Sequence, residues 1–117
     1  MRVRPRINRW TEARRNLVFS SLISQSLVQP HFVVSGSEID EPIPGMPGIQ
    51  RQSGEVLLKT IAEDIAHGIK AHMLFTVVEP EHKDSVASVA SDMDMHGIIA
   101  VRELREKFGE SIVLFTD

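Results

Sequence analysis

The alternation of short apolar runs with amphipathic stretches is the feature that most constrains this fold. Phe32-Val33-Val34, entered from Pro30 and closed by Gly36, reads as a strand. Ser53 stands in an N-cap position, and beyond it Leu57, Leu58, Ile61, Ala62 and Ile65 share one helical face. Glu55, Lys59, Glu63 and Asp64 are assigned to the opposite face, with Gly68 as the stop. Ala71 to Val78 is apolar apart from His72 and Thr76, the pattern of a strand covered on both sides. Ser91-x-x-Asp94 resembles a capping box with Asp in place of Glu. It predicts a helix that buries Ile98, Val101, Leu104 and Phe108, carries Arg105 and Lys107 near its negative end, and stops at Gly109. Ile112-Val113-Leu114-Phe115 is a third strand. Strand, helix, strand, helix, strand argues for a right-handed parallel α/β arrangement.

A closed eight-stranded α/β barrel takes ~250 residues, and this chain has 117. The expected fold class is therefore α/β: a partial TIM-barrel-like unit of about three parallel strands with intervening helices, preceded by an N-terminal arm. Residues 1–26 are expected to form the basic arm, with a short helix capped by Thr11 and running to about Val18. Residues 27–117 form the truncated barrel portion. Glu41 to Gly48 reads as loop, because three prolines remove donors and two glycines permit tight turns. Residues 79–90 form a second loop. Three parallel strands leave open edges that something must cover.

The absence of cysteine excludes disulfides, thiolate metal sites and a thiol nucleophile. No apolar run approaches the ~20 residues of a membrane helix, and a charged start is unlike a signal peptide. The default expectation is a cytoplasmic protein. Charge is unevenly placed. Residues 1–15 hold six arginines against Glu12, a net +5, and the remainder carries −8. Such an arm could dock on the acidic body of a neighbouring subunit, bind nucleic acid, or be a cleaved transit peptide. Only Trp10 interleaves with the arginines and no lysine joins them, so nucleic-acid binding ranks below docking.

Several segments together resemble one family. Arg4-Pro5-Arg6 with Arg14-Arg15, then Pro30-His31-Phe32-Val33-Val34-Ser35-Gly36, look like the arm and first strand of porphobilinogen synthase (5-aminolevulinate dehydratase). Pro42-Ile43-Pro44-Gly45-Met46-Pro47-Gly48-Ile49 resembles its signature loop, which usually carries Ser where Gly45 stands. Gly68-Ile69 before Leu74-Phe75, Lys83-Asp84, and Val101-Arg102 before Phe108 continue the likeness in order. It implies a TIM barrel with an arm that wraps a neighbour. It also implies condensation of two 5-aminolevulinate molecules to porphobilinogen, towards haem and other tetrapyrroles.

That chemistry needs an amine nucleophile for a Schiff base with a substrate ketone. The resemblance puts two such lysines on later strands, and in zinc-dependent members a cysteine cluster just after the third. The chain ends before these positions. Lys59, Lys70, Lys83 and Lys107 match neither lysine and read as solvated, so the isolated chain is expected to be inactive. Asp117 alone matches a family active-site aspartate, with a frayed terminal residue as the plainer reading. Family members use zinc and/or magnesium, but no cofactor is expected here. Phe19 stands where many bacterial relatives have a glutamate linked to an allosteric magnesium site. His31 and His72 replace commonly apolar positions near the starts of their strands and read as partly buried structural histidines. With no i, i+4 histidine pair, zinc is expected to bind weakly at best.

Oligomer contacts are assigned to Arg4, Arg6, Arg9, Trp10, Arg14 and Arg15. The expected partner is a further copy of the chain or a full-length synthase, and no membrane is involved. A non-catalytic oligomeric paralogue, acting as a partner or regulator, is the alternative function.

Overall fold

A computed structural model describes residues 6–19 and 26–117, without the side chains of Asn8 and Phe19. After a 3₁₀ turn at Ile7–Arg9 come α1 (Glu12–Phe19), β1 (Val28–Val33), β2 (Asp40–Pro42), β3 (Gln50–Gln52) and α2 (Gly54–Ala66). They are followed by β4 (Ala71–Thr76), α3 (His96–Phe108) and β5 (Val113–Thr116). The five strands form one sheet in the order β2-β3-β1-β4-β5. β1 pairs in parallel with β3 and β4, and β4 with β5, while β2 runs antiparallel to β3. The α/β class and the parallel crossovers through α2 and α3 are as expected.

The strand count is not. The Pro-rich segment expected to be loop contributes a hairpin. Ile43 and Ile49 close it with an N–H···O bond of 3.0 Å, and two consecutive turns form its tip. Met46 N–H donates to Ile43 O, and Ile49 N–H donates to Met46 O, both at 3.1 Å. In each turn Pro is followed by Gly, at φ +81° for Gly45 and +80° for Gly48, the arrangement of a type II turn. Pro42 is tolerated because β2 is an edge strand. Pro30 is accommodated inside β1 for a similar reason, since β3 reaches only Phe32 and Val33 on that side.

Side chains alternate across the sheet. One face carries Val33 and Leu74, which are buried against Leu57 and Ile61 of α2 and Ala100 and Leu104 of α3. Each large aliphatic side chain so buried contributes roughly 1.5–3 kcal/mol. The opposite face carries Phe32 and Phe75, stacked with ring centroids 5.3 Å apart. Its N-terminal end is covered by α1, where Ala13 and Leu17 pack on Ala71 and Val113. Towards the strands' C-terminal end it is open, and Phe115 is 37% exposed.

The helix ends show which local signals operate. Thr11 Oγ1 accepts the Arg14 N–H at 3.3 Å, the expected cap of α1. α2 closes in a Schellman motif: Gly68 N–H donates to Ile65 O and Ile69 N–H to Asp64 O, with Gly68 at φ +92°. Ser53 occupies the N-cap position of α2 but does not cap. Its hydroxyl accepts from Ile39 N–H and donates to Glu55 Oε1, both at 3.0 Å. The capping box at Ser91 does not form either. Asp92 instead accepts the Asp94 N–H at 2.9 Å in a local turn, and α3 starts only at His96.

Candidate functional site

Parallel α/β sheets build their sites where the strands end. Here Thr76, Thr116 and Asp117 stand at that end, beside a cleft of about 570 Å³ between the sheet and α3. Leu74, Val101 and Ile98 form its apolar floor, with Lys83 and Asp84 on its rim. Asp117 is exposed, and its N–H donates to Leu74 O at 3.4 Å, extending the β4–β5 ladder by one bond. Asp84 is committed to its own loop, where it accepts from Val86 N–H at 3.1 Å and from the hydroxyl and N–H of Ser88. Those Ser88 bonds hold its carboxyl below the usual range. Lys59, Lys83 and Lys107 are exposed and Lys70 is half-buried, so none lies in the desolvated pocket that favours an amine nucleophile.

The arm divides into bracing and outward-facing residues. Arg15 Nη1 donates to Arg9 O at 3.0 Å and Arg14 Nη1 to Ile7 O at 3.5 Å, so both fold back on the 3₁₀ turn. Arg6, Arg9 and Trp10 line an outer hollow, with Trp10 72% exposed. Arg4 lies outside the described residues, as does the side chain of Phe19.

A second constellation was dispersed in the sequence. His31 and His72 lie on the helix-facing side of the sheet and are 5% and 0% exposed. His31 is the fourth residue of β1, further along its strand than expected, and His72 is the second of β4. His31 Nε2 is 3.0 Å from His72 Nδ1 and 3.5 Å from Asp64 Oδ2. Burial, then the charge His72 would carry, pushes His31 down to about 4. Burial brings His72 to about 4 as well, against an opposing effect of the Ile69 backbone. Burial also raises Asp64, with His67 opposing and Glu63 reinforcing the shift.

Asp64 corrects the assignment of α2's faces. It follows Leu57 by seven residues and Ile61 by three, so it falls in the buried row rather than the solvent face. That spacing was the signal available in the sequence. Among the described residues, this is the one group of three or more His, Asp or Glu side chains placed to share a metal ion.

The architecture is that of a mixed, mostly parallel α/β protein preceded by a helical arm, with its strand ends opening on a cleft. The family model for delta-aminolevulinic acid dehydratase matches residues 2–117, and the chain belongs to that family. The delta-aminolevulinic acid dehydratase of Mycobacterium tuberculosis (strain ATCC 25618 / H37Rv) is 38% identical over 117 residues, covering 99% of this chain and 36% of that protein. The Chlamydia pneumoniae enzyme of the same name is 36% identical over 106 residues, covering 90% and 32%. Among solved structures, the Toxoplasma gondii ME49 delta-aminolevulinic acid dehydratase (porphobilinogen synthase), in complex with its reaction product porphobilinogen, superposes with a TM-score of 0.76. It is 40% identical, and the match covers 100% of this chain and 33% of that one. The chain thus spans about a third of the length of these relatives. No helix among the described residues is long and apolar enough to cross a membrane.

Proposed function

We propose that this chain supplies the arm and first βα units of a porphobilinogen-forming dehydratase and does not turn over 5-aminolevulinate by itself. The observation that carries this reading is the one-sided sheet. α2 and α3 cover the face of Val33 and Leu74, while the face of Phe32, Phe75 and Phe115 is open beyond α1. A barrel closes over that second face, so β1, β4 and β5 act as its first three strands. Asp117 directly follows β5 at the C-terminal ends of the strands, where a substrate site would be built.

In this reading catalysis needs a Schiff-base lysine that these residues do not provide. The cysteine-held zinc of some relatives has no ligands here either, because the sequence has no thiol. The arm, presenting Arg6, Arg9 and Trp10, serves contact with a neighbouring subunit, either a further copy or a full-length synthase. The direct test incubates the purified chain with 5-aminolevulinate, assays porphobilinogen by its colour reaction, and traps imines with borohydride. Neither product nor adduct is expected. Turnover together with a reduced adduct on Lys59, Lys70, Lys83 or Lys107 would overturn the proposal.

A further inference from the structure

We infer that His31, His72 and Asp64 form a binding site for one divalent first-row transition ion of the zinc type, separate from the strand-end cleft. The three side chains come from β1, β4 and the last turn of α2. One ligand atom from each lies within 4.8 Å of the others. Ligands of a tetrahedral zinc ion, at ~2.0–2.1 Å from the metal, are about 3.3 Å from one another. The observed 3.0 Å between His31 Nε2 and His72 Nδ1, and 3.5 Å between His31 Nε2 and Asp64 Oδ2, bracket that spacing. The third pair, His72 and Asp64, lies within 4.8 Å, so the Asp64 carboxylate would turn in towards the two rings to hold an ion.

The hydrogen-bond accounting favours a cation. Asp64 Oδ2 is buried without a hydrogen-bond partner, and a carboxylate oxygen so placed is stabilised by a cation within reach. Burial keeps both imidazoles neutral at pH 7, the form that binds metal. Between two neutral rings only one proton can be shared at the 3.0 Å contact, which leaves the carboxylate oxygen unsatisfied. A divalent ion would accept lone pairs from all three groups at once. Two imidazoles and one carboxylate suit zinc and its neighbours better than calcium or magnesium, which take oxygen ligands. The Asp64 side chain is 24% exposed, so a water molecule can complete the coordination from its side.

Because these side chains sit on the helix-facing side of the sheet, such an ion would clamp the end of α2 to β1 and β4. Its role is structural, and binding adds directly to folding free energy. Nothing in this inference depends on the proposed dehydratase role.

The test uses the untagged full chain, stripped with a chelator. Calorimetry with zinc and visible spectroscopy with cobalt(II) are expected to show one ion per chain and the intense absorption of tetrahedral cobalt. Imidazole NMR of the unmodified chain should show two of its five histidines shifting at saturation, namely His31 and His72. Asp64→Asn and His31→Gln should each weaken binding by at least roughly 10–100-fold, the loss seen even for outer-shell changes. His82→Ala, in an exposed loop, should leave it unchanged. Absence of saturable 1:1 binding, shifts confined to the other histidines, or unchanged affinity in Asp64→Asn and His31→Gln would each overturn the inference. The NMR readout decides the matter even where a variant fails to fold.

Discussion

His31 and His72 are separated by 41 positions in sequence, yet their ring nitrogens meet at 3.0 Å across adjacent parallel strands. The contact buries two titratable groups in the layer between sheet and helices, where a proton on either ring lacks solvation. Their pKa values are lowered from 6.5 to about 4. The unfolded chain therefore binds protons that the metal-free folded chain excludes. Stability from this pair is complete above about pH 6.5 and is lost as pH falls towards 4. Asp64, with Glu63 and His67 beside it, contributes with the opposite sign, because a raised carboxyl pKa favours the folded state as pH falls. Urea midpoints in the presence of chelator should drop between pH 7 and pH 5, and His31→Gln should flatten the drop. The same pH response in the unmodified chain and in His31→Gln would show that the rings are not held neutral.

The tandem turns make a separate prediction. Gly45 and Gly48 adopt φ near +80°, and an added Cβ would meet nothing within 4 Å. A substitution there costs backbone strain alone, about 1–2 kcal/mol. Gly45→Ser should lower stability by that amount in chemical denaturation. An unchanged midpoint would mean that the turn relaxes without cost.

Gly97 tests the docking of α3. A Cβ at this position would collide with the Thr76 side chain at the end of β4, 2.9 Å from its Cγ2. Gly97→Ala should destabilise the fold by ~1–3 kcal/mol through overpacking. Thr76→Ala in the same chain should recover most of that loss, which a double-mutant cycle measures. Additive effects would contradict the contact.

Much of the scaffold was legible because it is local. Thr11, Gly68 and Gly109 mark helix boundaries through backbone chemistry that acts within a turn, and the apolar run after Ala71 is unmistakably β. The hairpin was missed because its prolines argue against a strand, although an edge strand can tolerate them. The start of α3 was misplaced because Asp92 and Asp94 stabilise a turn as readily as a helix cap. The His31–His72–Asp64 constellation depends on parallel register and on which way α2 rolls onto the sheet. Neither property follows from spacing along the chain, apart from the position of Asp64 in the row of Leu57 and Ile61.

The open face of Phe32, Phe75 and Phe115 leads to the most direct test, the state of assembly. Light scattering at micromolar concentration should give a mass well above the 13.1 kDa of one chain. Phe115→Glu, at a position already 37% exposed in the single chain, and deletion of residues 1–10 should each reduce that mass. High salt should weaken the share of the contact made by the arm. A stable 13.1 kDa monomer, unchanged by either alteration, would contradict the view that this sheet is completed by protein outside itself.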